Sequence, residues 1–137
     1  MVTFSNPPTV HSPAGAYSHT ARVPAGTELL FLSGQVGMRA DGSTPAGLAE
    51  QADQAFANIV QLLAAQGLAP SDIVKLTLFI VAGRDIQAVR QARFKHLGEH
   101  RPTSTAVFVS QLADPAWHVE VEAVAARTRA AAQSEAL

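Results

Sequence analysis

Residues 48–67, LAEQADQAFANIVQLLAAQG, constrain the fold more than any other stretch. Leu48, Ala52, Phe56, Ile59 and Leu63 recur at spacings of three and four, which lays them along one stripe of a helix. Gln51, Gln54, Asn58 and Gln61 fall on the other side, and Gly67 supplies the C-terminal stop. Such a helix cannot bury its stripe alone and needs a sheet or a second helix to lie on. The following segment, SDIVKLTLFIV, offers one. Its two-residue alternation predicts a strand with Val74, Leu76, Leu78 and Ile80 on one face and Lys75, Thr77 and Phe79 on the other.

The remaining elements build around that pair. The first fifteen residues read as an extended arm. Tyr17 to Val23 alternates as a half-buried edge strand, and the run ELLFLSGQVG follows a PAGT turn, so the two predict a hairpin. Gly34 and Gly37 interrupt the second run, and an isolated strand glycine marks a bulge or a close backbone approach. Asp85 is placed to cap a second helix whose stripe reads Ile86, Val89, Arg93, Leu97. An arginine thus falls in an apolar row, with Arg90 at its margin. TSTAVFV at 103–109 predicts a strand that opens on three hydroxyl side chains. In the last strand, HVEVEAVAA, Glu120 and Glu122 share one face while Val119, Val121 and Ala123 share the other.

The order ββαβαββ predicts an α+β subunit, one mixed sheet with two helices on one face. The sheet's second face stays rich in apolar and small residues with nothing in the chain left to cover it, which calls for other subunits. One domain is expected over residues 1–127, with 128–137 a frayed tail.

Composition closes off several function classes. The chain has no cysteine, which excludes thiolate nucleophiles, disulfides and cysteine-ligated zinc. A formal net charge of −1 offers no footprint for nucleic acid or an anionic membrane. No apolar run reaches the length of a membrane span, and the N-terminus lacks the basic-then-apolar order of a signal peptide, so cytoplasmic residence is expected. With 47% hydrophobic and only 15% charged residues, the surface is poor in charge, as in a subunit of an oligomer. SGQVG lacks the Lys-Ser/Thr of a phosphate loop, and no serine sits in a G-x-S-x-G elbow. His96 and His100 read as solvated helix-end residues, because Arg101-Pro102 ends the helix before both can share a metal. Phe94, Phe108 and Trp117 read as core. Glu120 and Glu122 leave two readings open: a solvated strand face, or a carboxylate held in a partly dry pocket to move protons.

Five segments occur in order and carry a resemblance: GAYSH at 15–19, LFLSGQVG at 30–37, EQADQAFANIVQLLAAQGLAPSDIVKLTLFI at 50–80, RPTSTAV at 101–107 and HVEVEAVAA at 118–126. Together they resemble the RidA/YjgF (Rid) family of small deaminases. The resemblance implies a chorismate-mutase-like subunit and a homotrimer whose sheets line a barrel, with a cleft between each pair of subunits. It also implies hydrolysis of reactive enamines and imines to a keto acid and ammonia, with no metal or organic cofactor.

Carried onto this chain, the resemblance makes Tyr17 the tyrosine of a G-P-Y motif, with Ala16 in place of the proline. Ser33, Gly34 and Gln35 become the SGQ segment that lines the cleft, and Glu120 the carboxylate that serves the attacking water and leaving amine. Active relatives read Pro-x-Arg-Ser where this chain reads Pro102-Thr103-Ser104-Thr105, so Ser104 stands where their arginine grips the substrate carboxylate. A serine offers one neutral donor in place of a charged planar fork, so the substrate is expected to differ from 2-aminoacrylate. Arg90 stands at a cleft asparagine, Arg93 at a common tyrosine, and Arg101 beside Pro102, and each could return a cation. For Arg93 the expectation is a buried stem with its head sent to water or to Glu99. The alternative is a non-catalytic trimer that binds a small metabolite through Tyr17, Ser33, Ser104 and Thr105. A nuclease or translation inhibitor is disfavoured by the charge balance.

Overall fold

The computed structural model describes residues 1–127, so the expected tail at 128–137 lies outside the described residues. The elements are β1 (Thr3–Ser5), β2 (Thr20–Arg22), β3 (Leu29–Val36), α1 (Leu48–Ala65), β4 (Ile73–Val81), α2 (Ile86–Leu97), β5 (Thr103–Val109) and β6 (Val119–Ala126). Four strands form one mixed sheet in the order β3-β6-β4-β5. β4 and β5 run parallel, joined by the α2 crossover, and the other pairs are antiparallel.

Period-two patterning decides which face the helices cover. Val119, Val121, Ala123 and Ala125 of β6 are buried in one cluster with Phe56, Ile59 and Leu63 of α1 and Val89 and Ala92 of α2. Burying each large aliphatic or aromatic side chain there stabilises the fold by about 1.5–3 kcal/mol. The helix boundaries follow the expected signals. Gly67, just past the end of α1, takes a φ of 74°, and the Asp85 carboxylate accepts the Gln87 N–H at 2.9 Å at the start of α2.

Several expectations are corrected. β2 does not pair with β3 but with β1, in the register Thr3↔Arg22, Phe4↔Ala21, Ser5↔Thr20. The reason is apolar: Val2, Phe4, Ala21 and Val23 pack on Val74, Val124 and Ala126, so this ribbon lies over a corner of the sheet's second face. That face is therefore partly covered from within the chain. The rest stays open, with Phe31 73% and Leu29 46% exposed. Val74 does not join Leu76, Leu78 and Ile80. A register shift between Ile73 and Lys75 turns Ile73 toward the helices and Val74 toward the ribbon.

Gln51 is not on the solvent side of α1 but fully buried. Its Nε2 donates to the carbonyls of Pro45 (2.8 Å) and Ala116 (2.9 Å), and its Oε1 accepts the His118 N–H (2.8 Å). One amide thus satisfies three backbone groups of two distant loops. Gly37 permits the approach, since a Cβ there would lie 2.5 Å from the Gln51 Cα. The histidines are not solvated either. α2 ends at Leu97, His96 Nε2 meets the Asp53 carboxylate at 2.9 Å, and His100 Nε2 meets the Ile73 carbonyl at 2.8 Å. Lys95, and then His96, hold the Asp53 carboxyl below its ordinary range. Phe94 and Phe108 are exposed rather than core.

Gln51→Leu keeps the volume of the side chain but strands all three backbone groups. Each buried group left without a partner costs about 1–3 kcal/mol, so a loss of at least about 3 kcal/mol is expected. Urea denaturation at fixed protein concentration measures it, and an unchanged midpoint would show that water replaces the amide.

Candidate active site

The alternation that buries Val119 and Val121 sends Glu120 to the open face of β6. There it stands between Phe79 of β4 and Val36 of β3. β3 is bulged between Leu32 and Gln35, and Gly34 sits in the bulge. A Cβ on Gly34 would lie 2.0 Å from Glu120 Oε2 and 2.8 Å from its Cδ, so the carboxylate rests on the space the missing side chain leaves. Ser33 is exposed, and its carbonyl accepts Gln35 Nε2–H at 3.2 Å. Beyond the bulge Gln35 pairs with Val121, a residue of the helix-covered face. Thr105, opposite Thr77 on the open face, accepts from Lys75 Nζ at 3.0 Å. Glu122, also opposite Thr77, is exposed.

A second group lies on the helix-covered side. A cleft of about 200 Å³ opens between α2 and the β4–β5 pair, floored by Leu78, Ile80 and Ala106. The loop 14–17 forms its rim, and Tyr17, Arg90, Arg93 and Ser104 line it. The rim is tied to the start of β5. Buried Ser18 donates its hydroxyl to the Arg101 carbonyl at 2.6 Å and its N–H to the Pro102 carbonyl at 3.0 Å. Arg101 Nη1 donates to the Gly15 carbonyl at 3.1 Å. The Tyr17 hydroxyl accepts the Ala14 N–H at 3.1 Å, and its ring stands edge-on to His19.

Arg93 departs from expectation. Its head turns away from Glu99, to β5 and the 14–17 rim. Nη1 donates to Ser104 Oγ at 3.1 Å, and Nη2 donates to the Ala16 carbonyl. Burial, and then the nearby charge of Arg101, push its pKa below the ordinary arginine value, yet a guanidinium remains protonated at neutral pH. The sequence did carry a signal for it: an arginine four residues from Val89 and four from Leu97 in an otherwise apolar row. Tertiary packing, invisible to that spacing, decides that its head turns to β5.

The residues singled out from the sequence thus fall into two groups. Tyr17, Arg90 and Ser104 share the cleft. Gly34, Glu120 and Thr105 belong to the open face, and the sheet stands between the two groups. Ser104 and Thr105 are neighbours in sequence and opposed in space. One chain does not bring Glu120 to Ser104.

A family model described as Endoribonuclease L-PSP matches residues 9–127. A 2-iminobutanoate/2-iminopropanoate deaminase from Dermatophagoides farinae is 30% identical over 119 residues, covering 85% of this chain and 90% of that protein. The protein of the same name from Capra hircus is 33% identical over 121 residues, 85% of each chain. Among solved structures, the Rid-family protein YyfB from Yersinia pestis matches with a TM-score of 0.80 at 27% identity, over 91% of this chain and 98% of that one. Escherichia coli TdcF with bound serine matches with a TM-score of 0.68 at 30% identity, over 85% and 91%.

The contact at Gly34 yields a test. In Gly34→Ala the three atoms nearest the added methyl all belong to the flexible Glu120 side chain, so the change in stability should stay within about 1 kcal/mol. The carboxylate itself must swing away. A crystal structure of the variant with Glu120 unmoved would contradict this account of the bulge.

Proposed function

The chain belongs to the Rid (YjgF) family, and from that premise we propose that it hydrolyses reactive enamine or imine metabolites in clefts shared between the subunits of a homotrimer. The observation that carries the proposal is the Glu120 carboxylate, half-buried on a strand whose alternate residues are core and seated over a glycine that leaves it room. Such a group is suited to proton transfer at a water molecule. Names of relatives add support: proteins about 30% identical to this one are named for deaminating imino acids.

The chemistry needs little machinery. An enamine protonated at carbon becomes an imine. Glu120 takes a proton from water as its oxygen adds to the C=N carbon, and gives that proton to the nitrogen. The carboxylate then takes the hydroxyl proton of the resulting carbinolamine and passes it to the nitrogen as the C–N bond breaks and C=O forms, so one water is consumed, one ammonia released and Glu120 regenerated. The open face of a neighbouring subunit, laid over the cleft, would bring its Glu120 to Tyr17 and Ser104 of this chain. Because Ser104 offers a hydroxyl where arginine-bearing relatives hold the substrate acid from β5, the proposed substrate differs from 2-aminoacrylate. A carboxylate anchored elsewhere shifts the reacting carbon, and a shift of about 1 Å costs on the order of 100-fold in rate.

Two measurements test the proposal. Sedimentation equilibrium should return three times the 14.4 kDa chain mass, and Phe31→Glu, a charge on the exposed apolar face, should lower it. A wild-type monomer at micromolar concentration would remove the shared cleft. Ammonia release from imines generated in situ, with and without a carboxylate, tests the chemistry. Glu120→Gln should lower the best rate by at least about 100-fold with the trimer intact, and exposed Glu122→Gln should have a milder effect. Full activity of Glu120→Gln would exclude the assigned role.

A further inference from the structure

The cleft concentrates positive charge that nothing among the described residues neutralises. Arg93 and Arg90 line it from successive positions on one face of α2, and Arg101 reaches its rim at Gly15. Among the described residues, no carboxylate lines the cleft. The ion pairs among the described residues join Lys95 and His96 to Asp53 and Arg127 to Glu28, and none involves these three arginines. Among the described residues, Arg93 is held by neutral acceptors, a hydroxyl and a carbonyl, while a second guanidinium stands near enough to oppose its charge.

Holding like charges together in a partly desolvated place is unfavourable unless an anion completes the arrangement. A guanidinium has five donors, and the two contacts of Arg93 leave donors for a ligand. Its setting also defines the ligand's body. The floor of Leu78, Ile80 and Ala106 is apolar, and about 200 Å³ is small for a ligand site. A short aliphatic carboxylate matches both parts, its chain on the apolar floor and its charge on the arginines.

We propose that Arg93, with Arg101 behind it, forms the carboxylate-binding site of this cleft, so that acid recognition comes from α2 and the 14–17 rim instead of from position 104. Ser104 then orients the guanidinium and has no direct claim on the ligand. A neighbouring subunit's Glu120 brought to the cleft would offset one positive charge and leave the rest for the ligand. The inference rests on the cleft being the substrate site of the proposed function and names its ligand class.

Its test is a binding measurement that needs no turnover. Butanoate and its uncharged isostere butanamide are titrated into the full-length protein by NMR or calorimetry. Butanoate should bind at least about tenfold more tightly, since a charged fork contact is worth more than a tenfold preference. Arg93→Gln should abolish the preference by weakening butanoate alone, Arg93→Lys should retain part of it, and Arg101→Gln should reduce it several-fold. Arg101 also holds the Gly15 carbonyl, so the ratio of butanoate to butanamide affinity is read in each variant: a disturbed rim weakens both probes, whereas loss of charge weakens butanoate alone. Equal binding of the two probes, no saturable butanoate binding in the millimolar range, or a preference that survives Arg93→Gln would each overturn the inference. Arg93-dependent butanoate binding without ammonia release would uphold it and count against the deaminase reading. Deamination confined to carboxylate-free imines would do the reverse.

Discussion

The two-residue period of β6 ties the direction of Glu120 to the packing of the core. The strand lies in the middle of the sheet, between β3 and β4, so its helix-facing residues cannot move without opening the main core. Burial of Val119, Val121 and Ala123 leaves Glu120 no orientation except toward the other face. A slip of one residue would put two carboxylates under α1 and four small apolar side chains in the open. The packing of the core thus enforces the placement of the acid, and no separate device is needed to aim it.

The bulge in β3 is the complementary adjustment. A regular strand there would carry a side chain into the space of the Glu120 carboxylate. The extra residue between Leu32 and Gln35, together with a glycine at 34, clears that space and reverses which face the following residues meet. The same stretch then ends at Gly37, where the chain passes close to the backbone of α1 at Gln51. Two glycines three residues apart serve two different contacts, one with a carboxylate and one with a helix.

What could be read from the sequence is what depends on local period. The α1 stripe, the two faces of β6, the Asp85 cap and the Gly67 stop all rest on spacing within a few residues. What could not be read depends on partners far along the chain. β1 and β2 are three residues each, too short for a period, and their pairing follows from the apolar patch around Val74 and Val124. Gln51 looks like a surface residue by type, and only loops reaching it from Pro45 and from Ala116–His118 make it a buried one. The site was legible as a set of residues but not as a place. Adjacent strand residues such as Ser104 and Thr105 must point to opposite faces, a rule that a motif read as a block conceals.

The hydrogen bond from Arg93 to Ser104 has a consequence for how such a chain can diverge. The two positions occupy one space, so neither tolerates change independently of the other. An arginine at 104 beside the present Arg93 would put two like charges in that space, and loss of Arg93 alone would leave a serine with no cation to orient. A lineage moving between the two arrangements crosses an intermediate with either two guanidiniums or none. The charge beside position 104 is set by a residue of α2, so it cannot be read from the residue at 104 alone.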